Sequence, residues 1–144
     1  MNLSITNVDL MGPILAQIGL GIVLLFILYA RRIPAMAKAK PTNEQMQDKA
    51  ATSSLPAPAR YAAENYNHQF EAPVLFYALC IGAMVSGLAS ELSVTFAWAY
   101  VGLRIVHSII HITYNKVMHR FGVFMLSNIA LIGLFITILL NYLG

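Results

Sequence analysis

The sequence predicts an all-α integral membrane protein, a bundle of four helices that each cross the bilayer. Of its 144 residues, 58% are hydrophobic and only 10% are charged, whereas about a quarter of the residues in a soluble domain are charged. Four stretches approach the roughly 20 apolar residues that a helix needs to cross the hydrocarbon core. Because lipid offers the backbone no hydrogen bonds, only helices or closed barrels can span it, and these long stretches indicate helices.

The predicted spans cover roughly residues 11–30, 68–90, 92–112 and 122–143. The first is uncharged and ends at Arg31 and Arg32, and the second follows Glu71. The third is apolar except for Arg104 and two histidines, and the fourth is uncharged. A tight turn near Glu91 separates the second span from the third, so we expect these two helices to be antiparallel neighbours.

The whole chain, residues 1–144, is predicted to be one domain with a polar cytoplasmic loop at about residues 31–60. The segment from Pro41 to Glu44 predicts the start of a short surface helix, with Thr42 or Asn43 as its cap. Residues 50–59 predict irregular linker. The single cysteine, Cys80, excludes a disulfide within the chain.

The basic residues predict the orientation of the protein in the membrane. Eight lie in the segments between spans one and two and between spans three and four, and the two termini and the turn near Glu91 have none. The positive-inside rule then places both basic segments in the cytoplasm and both termini on the non-cytoplasmic side. Anionic lipid explains these charges, so membrane lipids are expected partners and nucleic acid is not. The eight are Arg31, Arg32, Lys38, Lys40, Lys49, Arg60, Lys116 and Arg120.

Polar residues of the second and third spans fall on one face of each helix. A charge inside a membrane helix is costly and marks function more often than not. Glu71 and His111 each lie 20 residues from Glu91, which is roughly 30 Å along a helix and therefore the same depth. We expect Glu71 to pair with Arg104 or a nearby histidine. The two faces consist of Arg60, Glu64, Asn67, His68 and Glu71, and of Arg104, His107, His111 and Tyr114.

Two other interpretations of this cluster stay open. It is also what a structural polar network that fixes helix register would look like. His107 and His111 have the i, i+4 spacing of zinc ligands, which His68 or Glu71 would complete. No cysteine or second carboxylate joins them, so no metal site is predicted.

Two stretches carry a resemblance to a known family. Residues 65–77, Asn-Tyr-Asn-His-Gln-Phe-Glu-Ala-Pro-Val-Leu-Phe-Tyr, resemble the second-helix signature of the MAPEG family, the membrane-associated proteins in eicosanoid and glutathione metabolism. Arg104-Ile-Val-His107, Tyr114-Asn115 and Arg120-Phe121 resemble its third helix and the start of its fourth. The resemblance covers all four spans. The Glu-x-Pro-Val-Leu-Phe-Tyr and Arg-x-x-His-Ser pieces resemble its bacterial branch, which implies a bacterial inner membrane.

Membership would imply a homotrimer that binds glutathione, as a co-substrate, between neighbouring subunits on the cytoplasmic side. The implied activity is that of a glutathione transferase or peroxidase, in which the glutathione thiolate attacks a lipophilic electrophile or hydroperoxide taken from the bilayer. A nearby cation would keep the thiol ionised. The alternative within this fold is a non-catalytic module that binds lipid or a partner protein.

Site residues follow from the resemblance position by position. Arg120 matches an arginine that would stabilise the thiolate and is the expected catalytic residue. Glu71 matches a glutamate that would hold the glutathione amino group. The chain departs from the family at His68, Glu64, Phe124 and His111, which stand where an asparagine, an arginine and two tyrosines are found. The implied glutathione-binding set is Arg31, Asn67, His68, Glu71, Arg104, His107, His111 and Tyr114.

Overall fold

The computed structural model describes residues 10–48 and 51–144, with the side chains of residues 51 and 52 left aside, so predictions that involve Lys49 or the first nine residues lie outside it. The described chain is all-α and contains four helices long and apolar enough to cross a membrane: Met11–Ala39, Ala57–Ser86, Glu91–Ile112 and Val117–Leu143. The predicted fold class is therefore confirmed. The α-helices are α1 (Met11–Ala39), α2 (Asn43–Gln47), α3 (Ala57–Asn67), α4 (Ala72–Ser86), α5 (Glu91–Ile112) and α6 (Val117–Leu143).

Helix α1 continues well beyond the predicted end of the first span. It ends only at Lys40, which adopts the left-handed conformation with φ 44° and donates its N–H to the carbonyl of Met36 at 2.9 Å. The loop predicted at residues 31–60 is therefore shorter than expected. The prediction stopped at the first charges, but Arg and Lys are good helix formers whose long stems let a helix emerge from lipid.

The short surface helix is confirmed, and the linker after it is partly helical. Thr42 caps α2 through a capping box in which its side chain accepts from the N–H of Gln45. Residues 50–59, predicted irregular, instead include a 3₁₀ turn at Ala51–Ser54 and the start of α3 at Ala57. Proline in the first turn suits a helix start because the first N–H groups have no partner within the helix.

The second span is two helices joined by a break. A 3₁₀ turn, His68–Phe70, follows α3, and Glu71 leaves helical geometry with φ −99° and ψ −108° before α4 begins. Pro73 accounts for this break, because it has no N–H to donate to the carbonyl of Gln69, four residues earlier, and its ring would clash with that carbonyl in a continuous helix. The span thus starts at Ala57 rather than residue 68, and the bend lies at Glu71.

Two turns connect the remaining helices. Gly87, with φ 69°, ends α4, and a capping box between Ser90 and Ser93 starts α5, as the predicted tight turn requires. Asn115 adopts the left-handed conformation with φ 46° and donates its N–H to the carbonyl of Ile110 at 2.9 Å, which closes α5. Asparagine tolerates this conformation better than most residues.

The apolar core lies in the half of the bundle nearer the Gly87–Ser90 turn. Phe76 of α4 stacks on Tyr100 of α5 with ring centroids 4.7 Å apart, and Leu134 of α6 is fully buried beside them. Large apolar side chains such as Phe26 and Val85 point outward. An exposed apolar surface of this extent fits a lipid environment rather than water.

Gly133 of α6 lies directly against Phe96 of α5. A Cβ at this position would lie 2.7 Å from Cδ1 and Cζ of Phe96. We expect Gly133→Ala to destabilise the protein by about 1–3 kcal/mol, because a rigid ring must move. Gly122→Ala, on the same helix with nothing within 4 Å, is the control. Thermal unfolding in mild detergent measures both, and an equal response of the two variants would contradict this packing.

Candidate functional site

The break in the second span anchors a polar cluster between α3, α4, α5 and α6. Arg104 of α5 is fully buried and donates from Nη2 to the backbone carbonyl of His68 at 3.0 Å. A carbonyl at a helix break needs a partner where water is excluded. Arg104 therefore fixes the position of His68 in the cluster through its backbone.

Three histidines meet beside this contact. The ring of His68 lies 6.2 Å from that of His107 and 5.6 Å from that of His111, and the latter two rings are 5.8 Å apart. His107 and His111 are buried, whereas the side chain of His68 is 35% exposed. His68 is thus the most accessible of the three histidines.

Two carboxylates lie beside these histidines. Glu71 Oε2 lies 2.9 Å from His68 Nδ1, and Glu64 Oε2 lies 4.0 Å from His111 Nε2. The side chain of Glu71 is 59% exposed. Of the two partners predicted for Glu71, the structure places a histidine there, and Arg104 instead binds the backbone of that histidine.

Arg120 borders the cluster from the first turn of α6. Its Nη1 lies 3.1 Å from His111 Nε2 and donates to Asn115 Oδ1 at 2.9 Å. Because a guanidinium only donates, His111 Nε2 accepts, and the neutral His111 ring carries its proton on Nδ1. The left-handed turn at Asn115 therefore aims the amide that holds Arg120.

Several buried polar atoms in and beside this cluster have no hydrogen-bond partner among the described residues. They include Nε and Nη1 of Arg104, the two guanidinium nitrogens that do not contact the His68 carbonyl. Nδ1 of His107, Nδ1 of His111 and the hydroxyl of Tyr100 are also unpaired. Unpaired polar groups of this kind suit an anion or a polar ligand.

Three predicted site residues lie away from the histidines. Arg31 donates from Nη1 to the carbonyl of Ile112 at 2.8 Å and so caps the end of α5. Asn67 is exposed and lines a groove with Arg32, Arg60 and Glu64. Tyr114 is exposed, and its hydroxyl lies 3.1 Å from His119 Nδ1.

The structure also contains a buried amide network that the sequence analysis missed. Gln17 of α1 donates to Gln69 Oε1 at 3.0 Å, and Gln69 donates to the carbonyl of Asn65. Asn65 and Ser108 exchange two bonds, from Nδ2 to the Ser108 carbonyl and from Ser108 Oγ to Oδ1, each 3.2 Å. A lone glutamine in the apolar first span, and the i, i+4 spacing of Asn65 and Gln69, were the available signals.

The metal interpretation gains no support. Among residues 10–48 and 51–144, no group of three or more His, Cys, Asp or Glu side chains is arranged to hold a metal ion. The three histidine rings stand edge-on or tilted to one another at centroid distances near 6 Å. Their contacts instead run to Glu64, Glu71 and Arg120.

Fold and site together define a multi-pass membrane protein with a polar, partly buried cluster enclosed by its helices. The MAPEG family model matches residues 10–140, nearly the whole chain, and the protein belongs to the MAPEG family. No curated protein and no solved structure gives a significant match.

The Asn65–Ser108 contact should contribute to the stability of the protein. Asn65→Ala removes both exchanged bonds, and we expect it to lower the free energy of unfolding by about 1–2 kcal/mol, as for interhelical hydrogen bonds in membranes. Ser108→Ala removes one bond and should cost less. Asn67→Ala, exposed and two residues away, should stay within about 0.5 kcal/mol of the parent. Additive effects of Asn65→Ala and Ser108→Ala in a thermal-unfolding double-mutant cycle would argue against a direct contact.

Proposed function

We propose that this protein is a membrane-bound, glutathione-dependent transferase or peroxidase that acts on lipophilic electrophiles or hydroperoxides. Family membership supports a role of this kind. The observation that carries the proposal is Arg120, which is half-buried at the edge of the histidine cluster. His111 and Asn115 hold its Nη1, while its Nε and Nη2 make no hydrogen bond to the described residues. A fixed guanidinium with donors to spare suits a thiolate.

The chemistry required of the site is ionisation of a thiol. A free thiol has a pKa of about 8.5 and is mostly protonated at neutral pH. A positive charge next to the sulfur favours the thiolate and lowers this pKa, which makes glutathione a better nucleophile. Arg120 supplies that charge without needing a proton change of its own, since an arginine stays charged at every relevant pH.

The remaining charges suit the other groups of glutathione. The exposed carboxylate of Glu71 uses Oε2 for His68, which leaves Oε1 to bind the glutathione ammonium. The unpaired Nε and Nη1 donors of Arg104 suit a carboxylate oxygen. The outward apolar faces of the helices give an electrophile dissolved in lipid a route along the protein. The proposal includes a homotrimer with glutathione between subunits, in a bacterial inner membrane with both termini on the non-cytoplasmic side.

A second candidate is a non-catalytic module that binds lipid or a partner protein. Two observations favour it. Arg104 is fully buried and bonds to the backbone of its own chain. Phe124 packs against His107 with ring centroids 5.9 Å apart, so an apolar ring occupies one side of the cluster. In this case the cluster is a register-fixing network and glutathione has no effect on the protein.

Millimolar reduced glutathione should raise the unfolding temperature of the purified protein in mild detergent. A ligand at 100 times its dissociation constant stabilises a protein by about 2.7 kcal/mol, which corresponds to a shift of several degrees. Arg120→Ala should reduce the shift strongly. Lys116→Ala, an exposed basic residue in the same connection, should keep it. The absence of a shift in well-folded wild-type protein would favour the second candidate.

Arg120 should also determine the rate. We expect Arg120→Ala to lower turnover of a chlorodinitrobenzene or of cumene hydroperoxide by about 10²–10³-fold, the usual cost of removing a donor that stabilises developing charge. Arg120→Lys keeps the charge but loses the guanidinium that Asn115 and His111 hold. Its turnover should therefore lie between that of wild type and that of Arg120→Ala. The ultraviolet absorbance of the enzyme-bound thiolate should decline in the same order. Full activity in Arg120→Ala would remove Arg120 from the mechanism.

A further inference from the structure

His68 differs from the other two histidines of the cluster in its access and in its partner. Its side chain is 35% exposed, whereas His107 and His111 are buried. Its Nδ1 lies 2.9 Å from Glu71 Oε2. Its Nε2 makes no hydrogen bond to the described part of the chain. The ring is therefore partly accessible and has one nitrogen without a partner among the described residues.

The carboxylate decides which nitrogen is free. A carboxylate can only accept a hydrogen bond, so the proton of neutral His68 stays on Nδ1 and Nε2 keeps its lone pair. The same carboxylate stabilises the imidazolium that forms when Nε2 gains a proton. An imidazole oriented by a carboxylate in this way is the arrangement of a general base.

The surroundings place this base in the same cluster as the cation. Arg104 binds the carbonyl of His68, so the position of the residue does not depend on its side chain. The rings of His107 and His111 are its neighbours on α5. Beyond His111 lie two further charges, Glu64 and Arg120. His111 thus lies between His68, whose Nε2 can accept a proton, and Arg120, which is permanently charged.

We propose that His68 Nε2 is the general base that takes the proton from the glutathione thiol, with Glu71 as its positioning residue. The inference rests on the proposed function. The sulfur–hydrogen bond breaks, its electron pair stays on sulfur as the thiolate beside Arg120, and the proton becomes the Nε2–H of the His68 imidazolium. Attack on an aryl chloride then forms the carbon–sulfur bond and releases chloride, and His68 returns its proton to water.

The same proton serves the peroxidase reaction. The thiolate attacks the terminal oxygen of a hydroperoxide, so a sulfur–oxygen bond forms and the oxygen–oxygen bond breaks. The leaving alkoxide takes the proton from the His68 imidazolium and becomes an alcohol, which restores the neutral base. A second glutathione then converts the glutathione sulfenic acid to the disulfide and water. In this balance glutathione is oxidised, the hydroperoxide is reduced, and His68 ends as it began.

The test is the pH profile of kcat for His68→Gln and His68→Asn in the full-length protein in detergent. With reduced glutathione and cumene hydroperoxide, we expect these variants to be about 100-fold slower than wild type at pH 6.5. The gap should narrow to a few-fold by about pH 9, where the thiol ionises without a base. Added imidazole should restore part of the rate at low pH. His119→Gln, which changes an exposed histidine outside the cluster, should follow the wild-type profile.

Glu71→Gln separates orientation from binding. If Glu71 acts on the proton through His68, its effect on kcat should largely disappear in the His68→Gln background, while its effect on the KM for glutathione persists. Unfolding temperatures within about two degrees of wild type would show that the variants are folded.

The outcomes distinguish the two levels of the proposal. Wild-type protein that neither turns over nor is stabilised by glutathione would overturn both the function and the base. Active wild type with His68 variants that are equally active, or slower by the same factor at every pH, would overturn the base alone. A rate gap that closes with rising pH and responds to imidazole would establish His68 as the base.

Discussion

The hydrogen bond from Arg104 to the His68 carbonyl joins the fold of this protein to its site. Pro73 interrupts the second span, and the interruption needs a donor inside a region that excludes water. Arg104 supplies the donor from the neighbouring helix at 3.0 Å. The contact requires a buried guanidinium, which is energetically unfavourable, and it fixes the positions of His68 and Glu71 relative to α5. The break and the polar cluster are therefore one feature.

The cluster divides into a buried part and an accessible part. Arg104, His107 and His111 are buried, and Arg104 binds the helix break. His68 and Glu71 are partly exposed at its edge, and Arg120 is half-buried there. This division accounts for both candidate functions, because the buried part alone is a register-fixing network and the accessible part adds groups that suit a ligand.

The sequence predicted the four spans because apolar length and charge placement determine them directly. It missed the end of α1 because two charged residues, Arg31 and Arg32, were taken to end the helix. In the structure the helix continues past them to Ala39. On the second span it predicted that His68 and Glu71 belong to the cluster, and the structure places them next to each other there, but it named Asn67 and not the buried Asn65. Polar residues occupy two adjacent faces there, and periodicity alone does not say which face α5 will contact. The 3₁₀ turn and the break then shift the register again.

The pairing of charges within the described chain follows a consistent pattern. Arg31 donates to the Ile112 carbonyl, Arg104 to the His68 carbonyl, and Arg120 to His111 and Asn115, so all three arginines use neutral acceptors. The carboxylates of Glu64 and Glu71 lie against histidines instead. A positive charge held by neutral acceptors is positioned without a direct ion pair, and its attraction for an anion is strongest where water is excluded. A carboxylate in the place of Asn115 would hold Arg120 equally well but would cancel the charge that a thiolate needs.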